Sequence, residues 1–493
     1  MKPVANIICE LKDQSMMKLE LEPGIAAELA EAFSFYVPGY KFMPAYRHKV
    51  WDGKIRLFNR LTNELGAGLW LHLKGFCNDR QYELEVIDND YGIPFGKDDP
   101  KDFRDFFSEA NLPLKPRAYQ LEAAWIALKR YRSLLLSPTG SGKSYIIYMI
   151  IRYYMDYLIS SKKILIIVPT TSLVEQMYSD FDSYKLDVNK HCHRIYSGKD
   201  KVTKKLITIS TWQSIYKFPR KWFEQYGMVF GDECHGFKSK SLSSIMNKSV
   251  NAKYRIGTTG TLDGTQTHEL MLESLFGPVY EVTTTKALQD NETLAPLDIK
   301  VLLLNYPEAV KKDFGKKTYQ EEIDFIISHN ARNKFIYKLA LKLEGNTLIL
   351  FSRVDAHGKV LYDLINTNKE EQRKAFFVSG EVDTADREAI RGIVEKQKNA
   401  IIVASLGTFS TGINIRNLHN IIFASPSKSQ IRVLQSIGRG LRKSDRETKL
   451  FDLTDDLHWK KRQNYTLLHG AERLKIYKKE KFKFKVIQVD IND

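Results

Sequence analysis

Two acids, a thiol and an imidazole stand side by side in Asp232-Glu233-Cys234-His235, directly after the apolar run Met228-Val229-Phe230. A carboxylate leaving a buried strand can hold a magnesium-bound water while its neighbour orients an attacking one, so Asp232 is assigned to the metal and Glu233 to the water. That chemistry needs a phosphate site upstream, and Ser137-Pro138-Thr139-Gly140-Ser141-Gly142-Lys143-Ser144 supplies it between the strand SLLL and the helix YIIYMI. Successive amides over Thr139, Gly140, Ser141 and Gly142 can surround phosphate oxygens, Lys143 can place a charge near the β and γ phosphates, and Ser144 can ligate Mg2+. Ser137 stands where GxxxxGKS has its first glycine, and the GSGKS end is intact. Cys234 is read as a variable position, because a thiol nucleophile needs a base and an oxyanion pocket for which the sequence makes no case. An adjacent Cys-His pair without a second pair nearby is not a structural zinc motif. His235 is either a packed histidine or a group that senses phosphate beside the acids.

These groups need strands and helices to hold them. From about residue 111 the chain repeats a pattern of apolar strand, turn and helix, in RSLLLSPTGSGKSYIIYMI, KKILIIVPTTSLVEQM, KLITISTWQSIYKF and GMVFGDECHGF. Short continuous apolar strands between helical segments predict a mostly parallel sheet covered on both faces. A second series from about residue 325 offers NTLILFS, KAFFVSG, NAIIVAS and NIIFAS. The expectation is an α/β chain with two parallel-sheet domains in tandem, a small amino-terminal α+β domain and a carboxy-terminal extension. Its divisions are placed at 1–95, 96–300, 301–450 and 451–493, with DNDYGIPFGKDDPKD as the first linker.

Composition narrows the partners. At 493 residues and 43% hydrophobic content the chain is long enough for several cores, and its formal charge of +16 attracts a polyanion. The four cysteines, Cys9, Cys77, Cys192 and Cys234, form no CxxC pair, which predicts a reducing compartment. The amino terminus has no secretory signal pattern and no apolar run reaches membrane-spanning length, so a cytoplasmic protein without a membrane partner is expected.

Near the carboxyl side, Gln435-Ser436-Ile437-Gly438-Arg439-Gly440-Leu441-Arg442 spaces Gln435, Arg439 and Arg442 at three and four positions, which share a face where the segment is helical. Two guanidinium groups there could neutralise charge developing on a transferred phosphoryl group. With these pieces the order of motifs resembles the superfamily 2 helicases and translocases over about residues 111–445. The resemblance implies two RecA-like domains, ATP with Mg2+ as cofactors, and nucleic acid lying across both domains. KPRAYQLEAA resembles the adenine-recognition segment, with Gln120 as base contact and Arg117 as helper. SPTGSGKS resembles motif I, DECH motif II of the DExH branch, STGINI motif V and QSIGRGLR motif VI. GTTGTL, Gly257 to Leu262, stands in the place of motif III, whose commoner form is Ser-Ala-Thr. By the same resemblance Gln435, Arg439 and Arg442 belong at the ATP site, with Arg442 as arginine finger. Strand ends in PTTSLVEQ, STWQS and SRVDAHG carry hydroxyls and amides able to grip phosphates without reading bases. They correspond to motifs Ia, Ib and IV, giving Pro169, Thr170, Thr171, Ser210, Thr211, Ser352 and Arg353 as nucleic-acid contacts, with Thr411 and Gly412 from motif V.

The flanks bear on the substrate. FMPAYRHKVWDGKIRLFNR, Phe42 to Arg60, interleaves aromatic and basic residues, as does RLKIYKKEKFKFK, Arg473 to Lys485, with seven basic side chains against one acid. Rings can stack on bases while cations hold phosphates; small-domain core packing explains some rings of the first segment equally well, and a solvated terminal helix or strand explains the second equally well. Trp51 and Lys481 are the representative candidates. YRHKVWDGKIRLF resembles the amino-terminal domain of the UvsW family of phage recombination and repair helicases, which extends the likeness to nearly the whole chain. That family implies branched and single-stranded DNA as substrates, RNA:DNA hybrids among them, branch migration, fork regression and annealing as activities, recombination and replication proteins as partners, and the host cytoplasm as location. An RNA helicase and a nucleotide-dependent binding module without unwinding are the competing readings. No PD...ExK-type nuclease cassette is found at either end.

Overall fold

Strands form where aliphatic residues run continuously, because a strand in a parallel sheet is covered on both faces. The computed structural model describes residues 5–87, 99–110, 112–158, 161–198, 200–314, 317–382, 384–412, 415, 417–425, 429, 433, 437 and 447–492. Its contacts divide the chain into two compact units, 1–137 with 142–282, and 138–141 with 283–493.

The first unit holds two modules. The amino-terminal one is a five-stranded sheet of β1 (Ile7–Leu11), β2 (Met16–Leu21), β5 (Phe58–Asn59), β6 (Glu64–Gly66) and β7 (Leu84–Ile87), ordered β5-β6-β2-β1-β7. β3 (Ser34–Tyr36) and β4 (Lys54–Arg56) pair separately as an antiparallel ribbon. Alternation puts Ile7, Cys9 and Leu11 of β1, with Met17 and Leu19 of β2, into a core shared with Leu29 and Leu73 of two covering helices. Within LELEPGIAAELAEAFSFY a helix runs over Pro23–Ala32, with proline in its first turn where no intrahelical N–H is needed.

The second module is a seven-stranded parallel sheet of β8 (Arg132–Leu136), β9 (Lys163–Val168), β10 (Cys192–Ile195), β11 (Ile207–Thr211), β12 (Tyr226–Asp232), β13 (Tyr254–Thr259) and β14 (Val279–Glu281). Their order is β10-β11-β9-β12-β13-β8-β14. The helix Lys143–Arg152 buries Tyr145 through Ile151 without interruption. Each large apolar side chain so buried contributes about 1.5–3 kcal/mol, which fixes the turn leading into that helix.

The amino-terminal module is bound to this sheet. Arg132 of β8 is buried, and its guanidinium donates to the backbone oxygen and to Oε1 of Gln14, the latter at 3.0 Å, while the Gln14 N–H donates to Val250 O at 3.0 Å. Gly66 and Gly68 lie so close to the helix Gln266–Phe276 that a Cβ at Gly68 would fall 1.8 Å from Glu273 O. His72 Nε2 meets Glu273 Oε2 at 2.7 Å across the same junction.

The second unit is another seven-stranded parallel sheet: β15 (Leu297–Asn305), β16 (Thr347–Phe351), β17 (Ala375–Val378), β18 (Ile401–Ser405), β19 (Asn420–Phe423), β20 (Thr448–Asp456) and β21 (Phe484–Asp490). The order is β17-β18-β16-β19-β20-β15-β21. The fold is therefore the α/β tandem of two RecA-like parallel sheets with an amino-terminal α+β module. β15 crosses the division expected at 300/301 and β20 that at 450/451, since a continuous strand cannot be split between domains. The division at 95/96 lies outside the described residues. The final residues are woven into the sheet, for β21 pairs with β15 along its length. In the helix Tyr465–Lys479, Arg473 and Tyr477 are buried against Asp452, the Tyr477 hydroxyl donating to Asp452 Oδ2 at 2.8 Å. The Tyr477 ring belongs to the core, which corrects its reading as a base-stacking candidate.

Candidate active site and nucleic-acid interface

In the first unit's sheet, the carboxyl ends of neighbouring parallel strands bring three sequence-distant segments together, as open α/β sheets do at their ligand sites. β8 leads into the glycine-rich turn, where Gly140 (φ 86°) and Gly142 (φ 83°) adopt left-handed backbone that glycine alone takes without cost. Ser141 is buried and its hydroxyl donates to Pro138 O at 2.6 Å, holding the turn closed. Gln120 is also buried. Its Oε1 accepts from the Arg117 N–H at 3.0 Å, and its amide nitrogen lies 2.4 Å from where a Cβ on Gly142 would stand. Gln120 therefore sits against the turn, whereas the exposed Arg117 side chain donates to Tyr119 Oη at 3.0 Å.

Lys143 Nζ donates to Ser137 O at 3.3 Å and lies 3.8 Å from Glu233 Oε1. Asp232 ends β12, buried, and accepts from Thr258 Oγ1 at 2.7 Å. Burial first and the Glu233 charge second push its carboxyl up, against an opposing pull from Lys143. Glu233 itself takes left-handed backbone (φ 49°), a strained conformation for a residue with a Cβ, of the kind concentrated at functional sites. His235 Nδ1 is 3.1 Å from Thr259 Oγ1 and 3.4 Å from Glu233 Oε2, and its backbone oxygen bonds His268 Nε2 at 2.9 Å. Cys234 is buried, and that burial pushes its thiol well up, away from the thiolate a nucleophile needs.

The cluster pits one lysine against two carboxylates, an arrangement that a divalent cation and a bound polyphosphate would balance. Among the described residues no group of three or more His, Cys, Asp or Glu could hold a metal. Ser144 Oγ shares a hydrogen bond with Tyr184 Oη at 3.0 Å.

Sequence reasoning did not assign Tyr184, Thr258, Thr259 or His268. The only signal for the threonines was their place in GTTGTL, and the parallel register of β12 with β13, which pairs Asp232 with Thr258, turns it into a contact.

Two nucleic-acid candidates also converge. β9 and β11 are paired, so their ends adjoin, and Gln213 Nε2 donates to Pro169 O at 3.3 Å. Thr170 caps the helix Thr171–Ser183 by accepting from the Leu173 N–H. Thr211 shares a hydrogen bond with Ser214 at 2.9 Å. Ser210 departs from expectation: it is buried, and its hydroxyl donates to Ile195 O at 3.0 Å, so it serves the sheet and cannot reach a phosphate. In the second unit Ser352 and Arg353 are exposed beyond β16, with Arg353 Nη2 donating to Gln320 Oε1 at 3.1 Å. Thr411 and Gly412 end the helix Leu406–Gly412. Gln435, Arg439 and Arg442 lie outside the described residues. Trp51 is half-buried, outside the amino-terminal core, and its indole N–H donates to Lys54 O at 2.8 Å. Lys481 is exposed.

Comparison with known proteins adds three family matches: "DNA helicase UvsW, N-terminal" over residues 6–88, "Type III restriction enzyme, res subunit" over 113–264 and "Helicase conserved C-terminal domain" over 331–444. Among curated proteins, the ATP-dependent DNA helicase uvsW of Enterobacteria phage T4 is 37% identical over 513 residues, covering 99% of this chain and 100% of that protein. The DNA 3'-5' translocase XPB2 of Sulfurisphaera tokodaii is 25% identical, covering 85% of this chain and 93% of its own. The crystal structure of T4 UvsW superposes with a TM-score of 0.52 at 34% identity, covering 99% and 100% of the two chains.

Proposed function

Because the chain belongs to the UvsW-like family of superfamily 2 helicases, we propose that it is an ATP-dependent DNA motor that remodels branched DNA by branch migration, fork regression and unwinding. The observation that carries this reading is the meeting of Lys143, Asp232 and Glu233 at one sheet edge, in a unit to which the amino-terminal module is firmly docked. Annealing, action on RNA:DNA hybrids and cooperation with recombination and replication proteins belong to the same proposal, as does a place in the host cytoplasm.

In this reading the glycine-rich turn offers amides to the phosphates, Lys143 neutralises the terminal phosphates and Gln120 faces the base. Ser144 and Asp232 would hold Mg2+, which when bound neutralises phosphate charge. Glu233 orients the attacking water and accepts its proton, the step that commits ATP to hydrolysis. Thr258 fixes the Asp232 carboxylate, and Thr259 with His235 ties the acid pair to the strand that follows. A hydroxyl ladder of this kind gives the phosphate site a mechanical link to β13, the element by which hydrolysis would be felt elsewhere in the unit.

The test is strand separation and branch migration on forked DNA, four-way junctions and RNA:DNA hybrids, with ATP supplied or withheld, beside ATPase stimulation by DNA and by RNA. ATP-dependent remodelling of the junctions is expected. Stimulation by RNA alone would replace this reading with an RNA helicase, and binding without turnover would reduce the chain to a nucleotide-dependent binding module.

A further inference from the structure

The turn after β20 is a second aromatic and basic surface, separate from every motif discussed above. His458-Trp459-Lys460-Lys461-Arg462 folds back on itself, the Trp459 N–H donating to Arg462 O at 3.1 Å and the Arg462 N–H returning to Trp459 O at 3.0 Å. Lys460 sits at the bend with φ 53°. A lysine held in backbone that favours glycine is a cost the fold bears for the side chain. The turn borders a cleft of about 650 Å³ whose wall includes Leu303, Asp456, Leu467 and Leu468.

Charge there is one-sided. Beside the turn, Asp456 is answered by Lys311 Nζ at 3.4 Å and by His458, and Glu322 is engaged by the Tyr465 N–H at 2.9 Å. Among the described residues no carboxylate pairs with Lys460 or Lys461, and both side chains are exposed. Trp459 adjoins these cations, half-buried with Lys460 Nζ 6.0 Å from its ring centroid, and Tyr465, farther along the same segment, meets Tyr319 at 5.7 Å between centroids, each of the two about two-fifths exposed. The surface also runs on toward Arg353. Arg462 Nη2 donates to Lys317 O at 3.1 Å just before the helix Tyr319–Ser328, and Gln320 of that helix accepts from Arg353. β16 and β20 are parallel through β19, so Arg353 and the turn leave the same edge of the sheet.

We propose that this turn is a binding site for a single DNA strand, with Lys460 and Lys461 on successive phosphates and Trp459 or Tyr465 against a base. The proposal rests on the reading of the chain as a DNA motor and adds to it a contact outside the helicase motifs. Cations lacking carboxylate partners beside exposed rings suit a strand whose phosphates and bases are both accessible. An acidic protein segment would use the cations and leave the rings without a role.

The test uses the full chain with Lys460→Gln and Lys461→Gln combined, and Trp459→Ala separately, titrated against a fluorescent single-stranded oligonucleotide over a series of salt concentrations. Loss of two phosphate contacts should make the slope of log affinity on log salt shallower by about 1.4. Trp459→Ala should weaken binding about fivefold or more, the low end of one stacked base. ATP affinity without DNA should not change, because none of these residues belongs to the motifs assigned to the nucleotide. Irradiating the wild-type complex with an iodouracil-containing oligonucleotide should attach DNA to peptides covering 459–465, a readout that does not depend on variants folding. Unchanged affinity and slope in folded variants, or crosslinks that avoid those peptides, overturn the proposal, an acidic protein partner then being the occupant left. If the wild-type chain itself shows neither DNA binding nor DNA-stimulated ATPase, it is the motor reading that fails, and the wild-type arm reports it.

Discussion

Lys143 and Glu233 stand 3.8 Å apart, yet their substitutions should fail at different steps. Lys143→Ala removes a phosphate contact and should raise the dissociation constant for ATP, read by titration with a fluorescent analogue. Glu233→Gln keeps the shape and loses the proton acceptor, so binding should survive while single-turnover hydrolysis falls about 100-fold or more. Near-normal chemistry in that variant would remove Glu233 from its role. A third substitution concerns stability alone. Arg332 and Asp455 are fully buried, paired at 2.7 Å, with Tyr306 also donating to Asp455 at 2.8 Å. Arg332→Met strands a buried carboxylate and should lower stability by about 3–5 kcal/mol in chemical denaturation, whereas a loss within ordinary surface values would show that the pair is dispensable. At this scale the glycine-rich turn and the acid pair were legible in the sequence, because local spacing defines them. Thr258, Thr259 and Tyr184 were not, since their contacts arise from strand register and helix packing between segments remote in sequence. Ser210 was misread for the same reason: a hydroxyl at a strand end looks available until the neighbouring strand covers it.

Among elements, the junction between the amino-terminal module and the helix Gln266–Phe276 carries a titratable contact. His72 is held above its ordinary pKa of 6.5, chiefly by the hydrogen bond it donates to Glu273 and against its own partial burial. A raised histidine contributes stability that is fully present below about pH 6.5 and is lost as pH rises through the elevated value. Docking should therefore loosen as the solution becomes alkaline, and His72→Gln should remove that dependence. Hydrogen exchange in β6 and in the helix Gln266–Phe276, followed between pH 6 and 9, measures both. Gly68 offers a steric counterpart. A methyl group there meets the Glu273 backbone rather than a pliable side chain, so Gly68→Ala should cost about 1–3 kcal/mol in thermal or denaturant unfolding. An unchanged midpoint would mean that the junction opens freely. All eight strands named in advance for the two parallel sheets are present, since runs such as ILIIV and AIIVA have no other stable place. The short antiparallel strands of the amino-terminal module were mostly missed because their alternation is brief, and β21 because the exposed Lys481, Lys483 and Lys485 at its start disguise an edge strand.

For the whole molecule, two compact units with separate apolar cores predict unfolding in more than one step. Calorimetry should resolve two transitions. A slowly hydrolysed ATP analogue at 100 times its dissociation constant should stabilise the unit containing Lys143 by about 2.7 kcal/mol. Lys143→Ala should abolish that shift, and a single transition unaffected by nucleotide would contradict the assignment. The excess of 75 basic over 59 acidic residues was visible at once and pointed to a polyanion. What composition could not tell is that much of the carboxy-terminal charge rides on a strand and helix of the second sheet. Partition of the chain into units follows long-range contacts, so the divisions at 300/301 and 450/451, drawn from local texture, fell inside strands.

The place of β21 also has a consequence in time. β15 is flanked in the sheet by β20 and β21, and its partner at 484–490 leaves the ribosome roughly 180 residues after it, some 10–40 s at the usual pace of synthesis. Until β20 emerges an apolar strand, DIKVLLLN, stands with both hydrogen-bonding edges open to any neighbour on the same message, and one edge stays open until β21 follows. The first unit meanwhile has everything it needs to close. Synthesis thus sets the order of assembly, and a pause between residues 305 and 484 would expose nascent chains to capture by chaperones or by each other.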